Sequence, residues 1–229
     1  MMGFIRVFVT VILYILTSAQ SDSRVKVSVY YETLCPDSIA FIRYQLFPTF
    51  EAIPEILNAD LVPFGKASYK VEDDGNITFR CQHGPRECAG NMMQVCAIDA
   101  LGYNQSSVIP FVNCLKKQRR PDTAGPKCAQ QLGIDFEPIK TCTEGTKGQQ
   151  LLMEAGQKTL GLSPRLNFVP WININDEHSE EIQDGALADL LRLVCLKYEG
   201  EDSPDKCDQY RPKPTRQGHT PAPTTTNTP

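Results

Sequence analysis

Val25-Lys26-Val27-Ser28-Val29-Tyr30-Tyr31-Glu32-Thr33-Leu34-Cys35-Pro36-Asp37-Ser38 begins a strand, cysteine and helix unit that runs on to Phe50. Val25, Val27 and Val29 alternate with Lys26, Ser28 and Tyr30, the period-2 pattern of a strand. After Cys35, residues Ile39, Ile42, Leu46, Phe47 and Phe50 recur at helical spacing. Pro36 suits the first turn of that helix, where a missing N–H leaves nothing unsatisfied. Cys35 is thereby placed at the positive end of a helix, a position that favours a thiolate. A sulfur held at the end of a strand in this way suits thiol–disulfide chemistry. Ser38 stands where a C-x-x-C pair would carry its second cysteine.

The first nineteen residues read as a signal peptide. Arg6 supplies the positive start, Val7 to Leu16 an apolar run, and Thr17-Ser18-Ala19 small residues for cleavage. That run is shorter than the ~20 apolar residues needed to span a bilayer. No later segment is apolar enough to cross a membrane, so the mature chain is expected to be a soluble passenger of the secretory route. The net charge of −4 argues against nucleic acid or anionic lipid as a partner. Nine cysteines in an exported chain imply disulfides, and the odd count leaves one over. Cys35 is the best candidate for the leftover. Asn76-Ile77-Thr78 and Asn104-Gln105-Ser106 are glycosylation acceptors, the first in an exposed turn begun by Asp73-Asp74-Gly75.

Ala59 to Gly65 reads as a second strand, with Pro63 placing it near an edge or bulge. From about 82 to 160 the pattern is helical and cysteine-rich. One helix carries Met92, Val95, Cys96 and Leu101, another spans Val108 to Leu115, and a third Leu151 to Leu160. Arg119-Arg120-Pro121-Asp122 and Thr143-Glu144-Gly145 mark turns. The basic run Lys116-Lys117-Gln118-Arg119-Arg120 reads as a solvated helix end, where cations complement the dipole. Strand character returns over Phe168 to Asn175, and a last helix sets Leu187, Leu190, Leu191, Val194 and Cys195 on one face. The layout is α/β, a small sheet with an inserted helical subdomain. Residues 211–229 are Pro/Thr-rich and too polar to fold, which reads as a disordered tail.

Cys81-Gln82-His83-Gly84-Pro85-Arg86-Glu87-Cys88-Ala89-Gly90-Asn91, with Cys96 five residues on, has the spacing C-Q-H-G-x-x-E-C-x-x-N-x-x-x-x-C. This pattern resembles the signature of the gamma-interferon-inducible lysosomal thiol reductase (GILT) family at every fixed position. The resemblance extends from Val62-Pro63-Phe64-Gly65 through Cys142, Gln149 and Leu151 to Val169-Pro170-Trp171 and Leu193-Val194-Cys195 with Cys207. It covers roughly residues 25–207. It implies a thioredoxin-like fold with an inserted, disulfide-stapled helical subdomain, and reduction of protein disulfides at acidic pH. By the same analogy, Val169-Pro170 carries a cis-proline facing Cys35.

Three cysteines beside His83 also fit a zinc site, but an oxidising compartment favours disulfides, so neither metal nor cofactor is expected. A Cys81–His83 catalytic couple is set aside on the same ground, since Cys81 is expected to be oxidised. Cys88 and Cys96 on one helix would sit ~12 Å apart, beyond the ~7 Å limit for a disulfide. Partners for Cys88 and Cys96 are therefore expected among Cys114, Cys128 and Cys142, with Cys195 and Cys207 closing the final helix onto its tail.

Ser38 decides what the site can do. A dithiol reductase attacks a substrate disulfide with one thiolate and resolves the mixed disulfide with the other. Cys35 retains the first step; a hydroxyl at Ser38 cannot perform the second. The leading reading is a scaffold that has lost dithiol turnover and binds a protein partner. The alternative is a monothiol reductase or isomerase acting on a disulfide-containing protein, with glutathione or another external thiol as resolver. A third is resolution by another, unpaired cysteine. Glu32 and Asp37 flank Cys35, and their carboxylates, if near, oppose its ionisation.

Overall fold

A computed structural model describes residues 23–210, so the signal-peptide and tail readings lie outside the described residues. Strand β1 (Val25–Tyr31) is the centre of a three-stranded sheet of order β2-β1-β5. It pairs in parallel with β2 (Leu57–Pro63) and antiparallel with β5 (Trp171–Ile174). A parallel pair needs a crossover. It is made by α1 (Pro36–Phe41), a π-helical turn (Ile42–Leu46) and α2 (Phe47–Ala52). Pro48 lacks the N–H that an uninterrupted helix would use, and the chain widens into the π turn just before it.

Two strands are shorter than the sequence pattern suggests. The last begins at Trp171 rather than Phe168, because Pro170 has no N–H to give the ladder. The second ends at Pro63, and Gly65 then turns the chain with φ +61°. A hairpin absent from the sequence reading follows, β3 (Ser68–Val71) with β4 (Ile77–Arg80).

Five helices separate β4 from β5: α3 (Pro85–Ala100), α4 (Gln105–Lys116), α5 (Gly125–Leu132), α6 (Glu137–Glu144) and α7 (Thr146–Leu160). One expected turn differs in detail, for Thr143 and Glu144 belong to α6 and only Gly145 breaks the helix. Cys96–Cys142 and Cys114–Cys128 staple this insert. It has its own core of Met93, Phe111, Leu115 and Ile139. It is nevertheless continuous with the sheet, since Val108, Ile109 and Val112 of α4 join Val27, Val29, Ile42 and Leu46 in the main core. Each such side chain contributes ~1.5–3 kcal/mol when fully buried.

α8 (Glu180–Lys197) completes the main layer through Ile182, Ala186, Leu190 and Val194, and Cys195–Cys207 ties it to the closing 3₁₀ turn (Asp205–Tyr210). Leu187, expected on that inner face, is instead 42% exposed. The helix breaks at Asp189, and Gln45 fills the gap: its amide donates to Ala188 O and accepts from Leu190 N–H. Asn76 and Asn104 are both exposed, and Asn104 caps α4 by accepting Ser106 N–H.

Candidate active site

The register of the sheet assembles the site. Tyr30 pairs with Trp171, so the chain before Trp171 returns beside the chain that follows β1. Cys35 is the N-cap of α1, with Pro36 in its first turn. Its Sγ lies 3.8 Å from Val169 O and donates to it, and the Val169–Pro170 peptide is cis. Cys35 is the one free cysteine, and all nine fall within the described residues. Ser38 is buried one turn into the helix, where its Oγ accepts Glu32 N–H at 3.3 Å. An open apolar groove starts at this point, lined by Phe41, Tyr44, Phe168, Val169, Pro170 and Leu187, with Asp37 at its rim.

The turn from Glu32 to Cys35 is held residue by residue from the insert. Asn91 Oδ1 accepts both Thr33 N–H (2.9 Å) and Thr33 Oγ1–H (2.6 Å). Gln94 donates to Thr33 Oγ1 and accepts from Tyr31 OH at 2.8 Å. Glu87 Oε2 accepts Leu34 N–H at 3.4 Å. Lys116 crosses from the last turn of α4 to donate to Thr33 O (3.0 Å) and Glu32 O (3.3 Å). Gly90 of α3 packs so close that a Cβ there would meet Thr33 Cγ2 at 2.4 Å.

These contacts correct the sequence reading in two places. Lys116 is not part of a solvated face but 2% exposed, its ammonium 4.8 Å from the centre of the Tyr31 ring. Burial drags it down to about 7, against the pull of Cys35, Glu87 and Glu32. Cys88 pairs with Cys81 rather than with Cys114, Cys128 or Cys142, and Cys114 and Cys128 pair with each other. Cys81 lies ahead of α3, and the chain reverses at Gly84 (φ +82°), which brings the two Cα atoms to 5.6 Å. The helical-rise argument against a Cys88–Cys96 pair stands, because both lie on α3 and Cys96 bonds Cys142.

The Cys81–Cys88 loop presents a second cluster behind the turn. His83 Nδ1 sits 2.6 Å from Glu87 Oε2 and 3.3 Å from Glu32 Oε2. Glu32 Oε1 accepts Lys66 N–H at 2.8 Å, while Oε2 has no hydrogen-bond partner of good geometry. Burial pushes the Glu32 carboxyl up, the Lys66 N–H pulls it back, and the Glu87 charge raises it further against His83. Its side chain therefore faces His83 and Glu87, while Asp37 lies exposed at the groove. Glu32, His83 and Glu87 are the described residues that could hold a metal, with donor atoms within 4.8 Å of one another. The 2.6 Å contact is a hydrogen bond, and Lys116 already offers these carboxylates a buried cation.

The sequence reading missed Thr33, Glu87, Asn91, Gln94 and Lys116 as parts of the site. Glu87, Asn91 and Gln94 follow one another at i, i+4 and i+7, so a buried polar stripe was the available signal.

Comparison with known proteins follows the same residues. The family model for gamma interferon inducible lysosomal thiol reductase (GILT) matches residues 26–132. A Gamma-interferon-inducible lysosomal thiol reductase of Carassius auratus is 41% identical over 198 residues, covering 84% of this chain and 76% of that protein. The chain belongs to the GILT family. GILT-like protein 1 of Drosophila melanogaster is 35% identical over 210 residues, covering 86% of this chain and 83% of that protein. Among solved structures, DsbA from Mycobacterium tuberculosis aligns with TM-score 0.50 at 14% identity, covering 81% of this GILT-family chain and 87% of DsbA. That likeness concerns the fold, which is thioredoxin-like with the helical insert between β4 and β5. No helix among the described residues is long and apolar enough to cross a membrane.

Proposed function

We propose that this chain is a monothiol member of the GILT family, in which Cys35 exchanges with a disulfide of a polypeptide lying along the Val169–Pro170 groove. The observation that carries this is the free Cys35 thiol at a helix N-terminus, held against Val169 O beside that groove. The other eight cysteines are paired, which supports an external resolver over an internal one. The Cys35 thiolate attacks one substrate sulfur, forming a mixed disulfide and expelling the other sulfur as a thiolate that takes up a proton. A first small thiol such as glutathione attacks the Cys35 sulfur and releases the substrate's second thiol. A second glutathione removes the first as oxidised glutathione and restores Cys35. Two glutathione thiols are oxidised for each substrate disulfide reduced.

The sequence alone ranks partner binding first, and one observation favours it as a second reading. Tyr44 (63% exposed), Phe168 (40%) and Leu187 (42%) present rings and aliphatic surface around a thiol only 6% exposed. Such a rim holds a polypeptide with or without exchange. The net charge of −4 fits a protein partner rather than nucleic acid. We place the chain in an oxidising luminal or extracellular compartment, on its four disulfides and the exposed acceptors Asn76 and Asn104.

The test is reduction of a fluorescence-quenched, disulfide-linked denatured protein at pH 4.5 and 7, with wild type and Cys35→Ser, each with and without glutathione. Cys35-dependent turnover that requires glutathione supports the monothiol enzyme. Its absence, in protein with its other disulfides intact, overturns that reading in favour of a binding scaffold.

A further inference from the structure

We propose that the cavity between Lys66 and Arg165 seats the carboxylates of the small thiol that resolves the Cys35 mixed disulfide, a tripeptide thiol of the glutathione class. The inference rests on the reading of Cys35 as a monothiol nucleophile. Three segments meet at one edge of the sheet. Tyr31 pairs in parallel with Pro63, so the chain after β2 emerges beside the chain after β1, with neighbouring strands ~4.8 Å apart. Tyr30 pairs antiparallel with Trp171, so the chain before β5 arrives at the same edge. Lys66 follows β2, Cys35 follows β1 and Arg165 precedes β5. Lys66 and Arg165 line a cavity of about 250 Å³, together with Gly65, Ala67, Leu160 and Leu166.

The charge of this cavity is uncompensated. Both cations are exposed, no acidic side chain lines the cavity, and neither cation has a salt-bridge partner among the described residues. Glu32 touches the same wall, but its Oε1 accepts the Lys66 backbone N–H at 2.8 Å and its Oε2 lies 3.3 Å from His83. In a chain of net charge −4, two cations brought together from distant segments with no partner point to an anionic ligand. Reach narrows the class. A glutathione-class thiol carries a carboxylate at each end and its sulfur between them, and a tripeptide extends to ~10 Å. Lys66 N–H is fixed to Glu32, three residues ahead of Cys35, which is also at most ~10 Å of chain. The cavity shares no lining residue with the apolar groove. A resolver seated there can attack the Cys35 sulfur while the polypeptide still occupies the groove, as the monothiol cycle demands.

The experiment follows formation of the Cys35 mixed disulfide by intact mass at pH 7.5, with oxidised glutathione or with the uncharged hydroxyethyl disulfide. The Cys35 thiolate attacks one sulfur, the S–S bond of the probe breaks, and the departing thiolate takes up a proton. We expect the ratio of the two rates, oxidised glutathione over hydroxyethyl disulfide, to fall about tenfold in Lys66→Gln/Arg165→Gln, the order that two exposed ion pairs supply. Lys197→Gln/Lys206→Gln removes the same charge from the end of α8 and the closing 3₁₀ turn and should keep the wild-type ratio. A ratio unchanged in Lys66→Gln/Arg165→Gln, or lowered equally in both double variants, overturns the proposal. If Cys35 of the folded wild type reacts with neither disulfide, the nucleophile reading fails on its own, and calorimetric titration of Cys35→Ser with S-methylglutathione decides the cavity. Saturable binding abolished by adding Lys66→Gln/Arg165→Gln supports the site. Binding that persists in that variant, or no binding at all, overturns it.

Discussion

Ser38 Oγ accepts the backbone N–H of Glu32 at 3.3 Å, and both residues are shielded from solvent. The hydroxyl has thus been taken into the support of the turn, three residues beyond a thiol it cannot replace chemically. The rest of the apparatus surrounds it: a helix start, the cis Val169–Pro170 peptide and the apolar groove.

Ser38→Cys should therefore restore a dithiol. With dithiothreitol as reductant, we expect turnover of a disulfide-linked substrate at least ~10-fold above wild type, and oxidation should join Cys35 to the introduced thiol. Both are read by the fluorescence-quenched assay and by peptide mass. A folded variant as slow as its parent would mean that the site lacks more than its second thiol.

The disulfides should differ in what they contribute. Cys96–Cys142 spans 46 positions, whereas Cys81–Cys88 spans 7. Loop-closure entropy alone assigns about 4 kcal/mol to the longer and about 2 kcal/mol to the shorter. Paired alanine substitutions followed by urea unfolding should give that order. The reverse order would place the shorter bridge's importance in the folded state, where its loop carries His83 toward Glu32 and Glu87.

What could be read from the sequence was local. The strand–Cys35–helix unit is visible because its periods, 2 and then 3.6, are written within one stretch, and Pro36 marks the switch. The hairpin β3–β4 was not, because it lies at the surface and has no apolar run to announce it. Helices α5 and α6 are short, though Pro126 and Pro138 in their first turns were available signals. Lys116 shows the limit most clearly. Its neighbours Lys117, Arg119 and Arg120 make the run look solvated, and only the packing of α4 against the Glu32–Cys35 turn turns one of the four inward. The Cys81–Cys88 pair depended on the reversal at Gly84, a backbone conformation that cysteine spacing does not encode.

Glu32 should make the protein less stable as pH rises. Burial raises its folded-state carboxyl above the unfolded value of about 4.3, so the folded chain holds a proton that the unfolded chain has released. Its contribution is intact below about 4.3 and is lost as pH climbs through the raised value. Glu32→Gln, a mimic of the protonated side chain, should match wild type at pH 4 and become the more stable of the two toward pH 7. Urea midpoints at pH 4, 5, 6 and 7 provide the check. A variant that loses stability relative to wild type as pH rises would show that the charge on Glu32, through His83, outweighs its desolvation.

Gly90 links the α3 signature to the turn that carries Cys35 through its packing against Thr33. A Cβ at this position meets Thr33 Cγ2 at 2.4 Å, while Thr33 is bonded at N–H and Oγ1 by Asn91 and at Oγ1 by Gln94. The turn cannot yield without breaking those bonds. Alanine favours a helix interior by ~1 kcal/mol over glycine, but overpacking against a fixed neighbour costs ~1–3 kcal/mol. Gly90→Ala should therefore lose stability on balance and slow Cys35 alkylation at every pH. Thr33→Ser removes Cγ2 and keeps the Oγ that Asn91 and Gln94 engage. The double variant Gly90→Ala/Thr33→Ser should then be more stable than the sum of the single changes allows, with alkylation restored in part, because the serine Cβ and Oγ still lie 2.9 and 3.0 Å from the added methyl. Strictly additive losses in the urea series would mean that the clash is absorbed by movement of α3, and that the turn takes its position from Asn91, Gln94 and Lys116 alone.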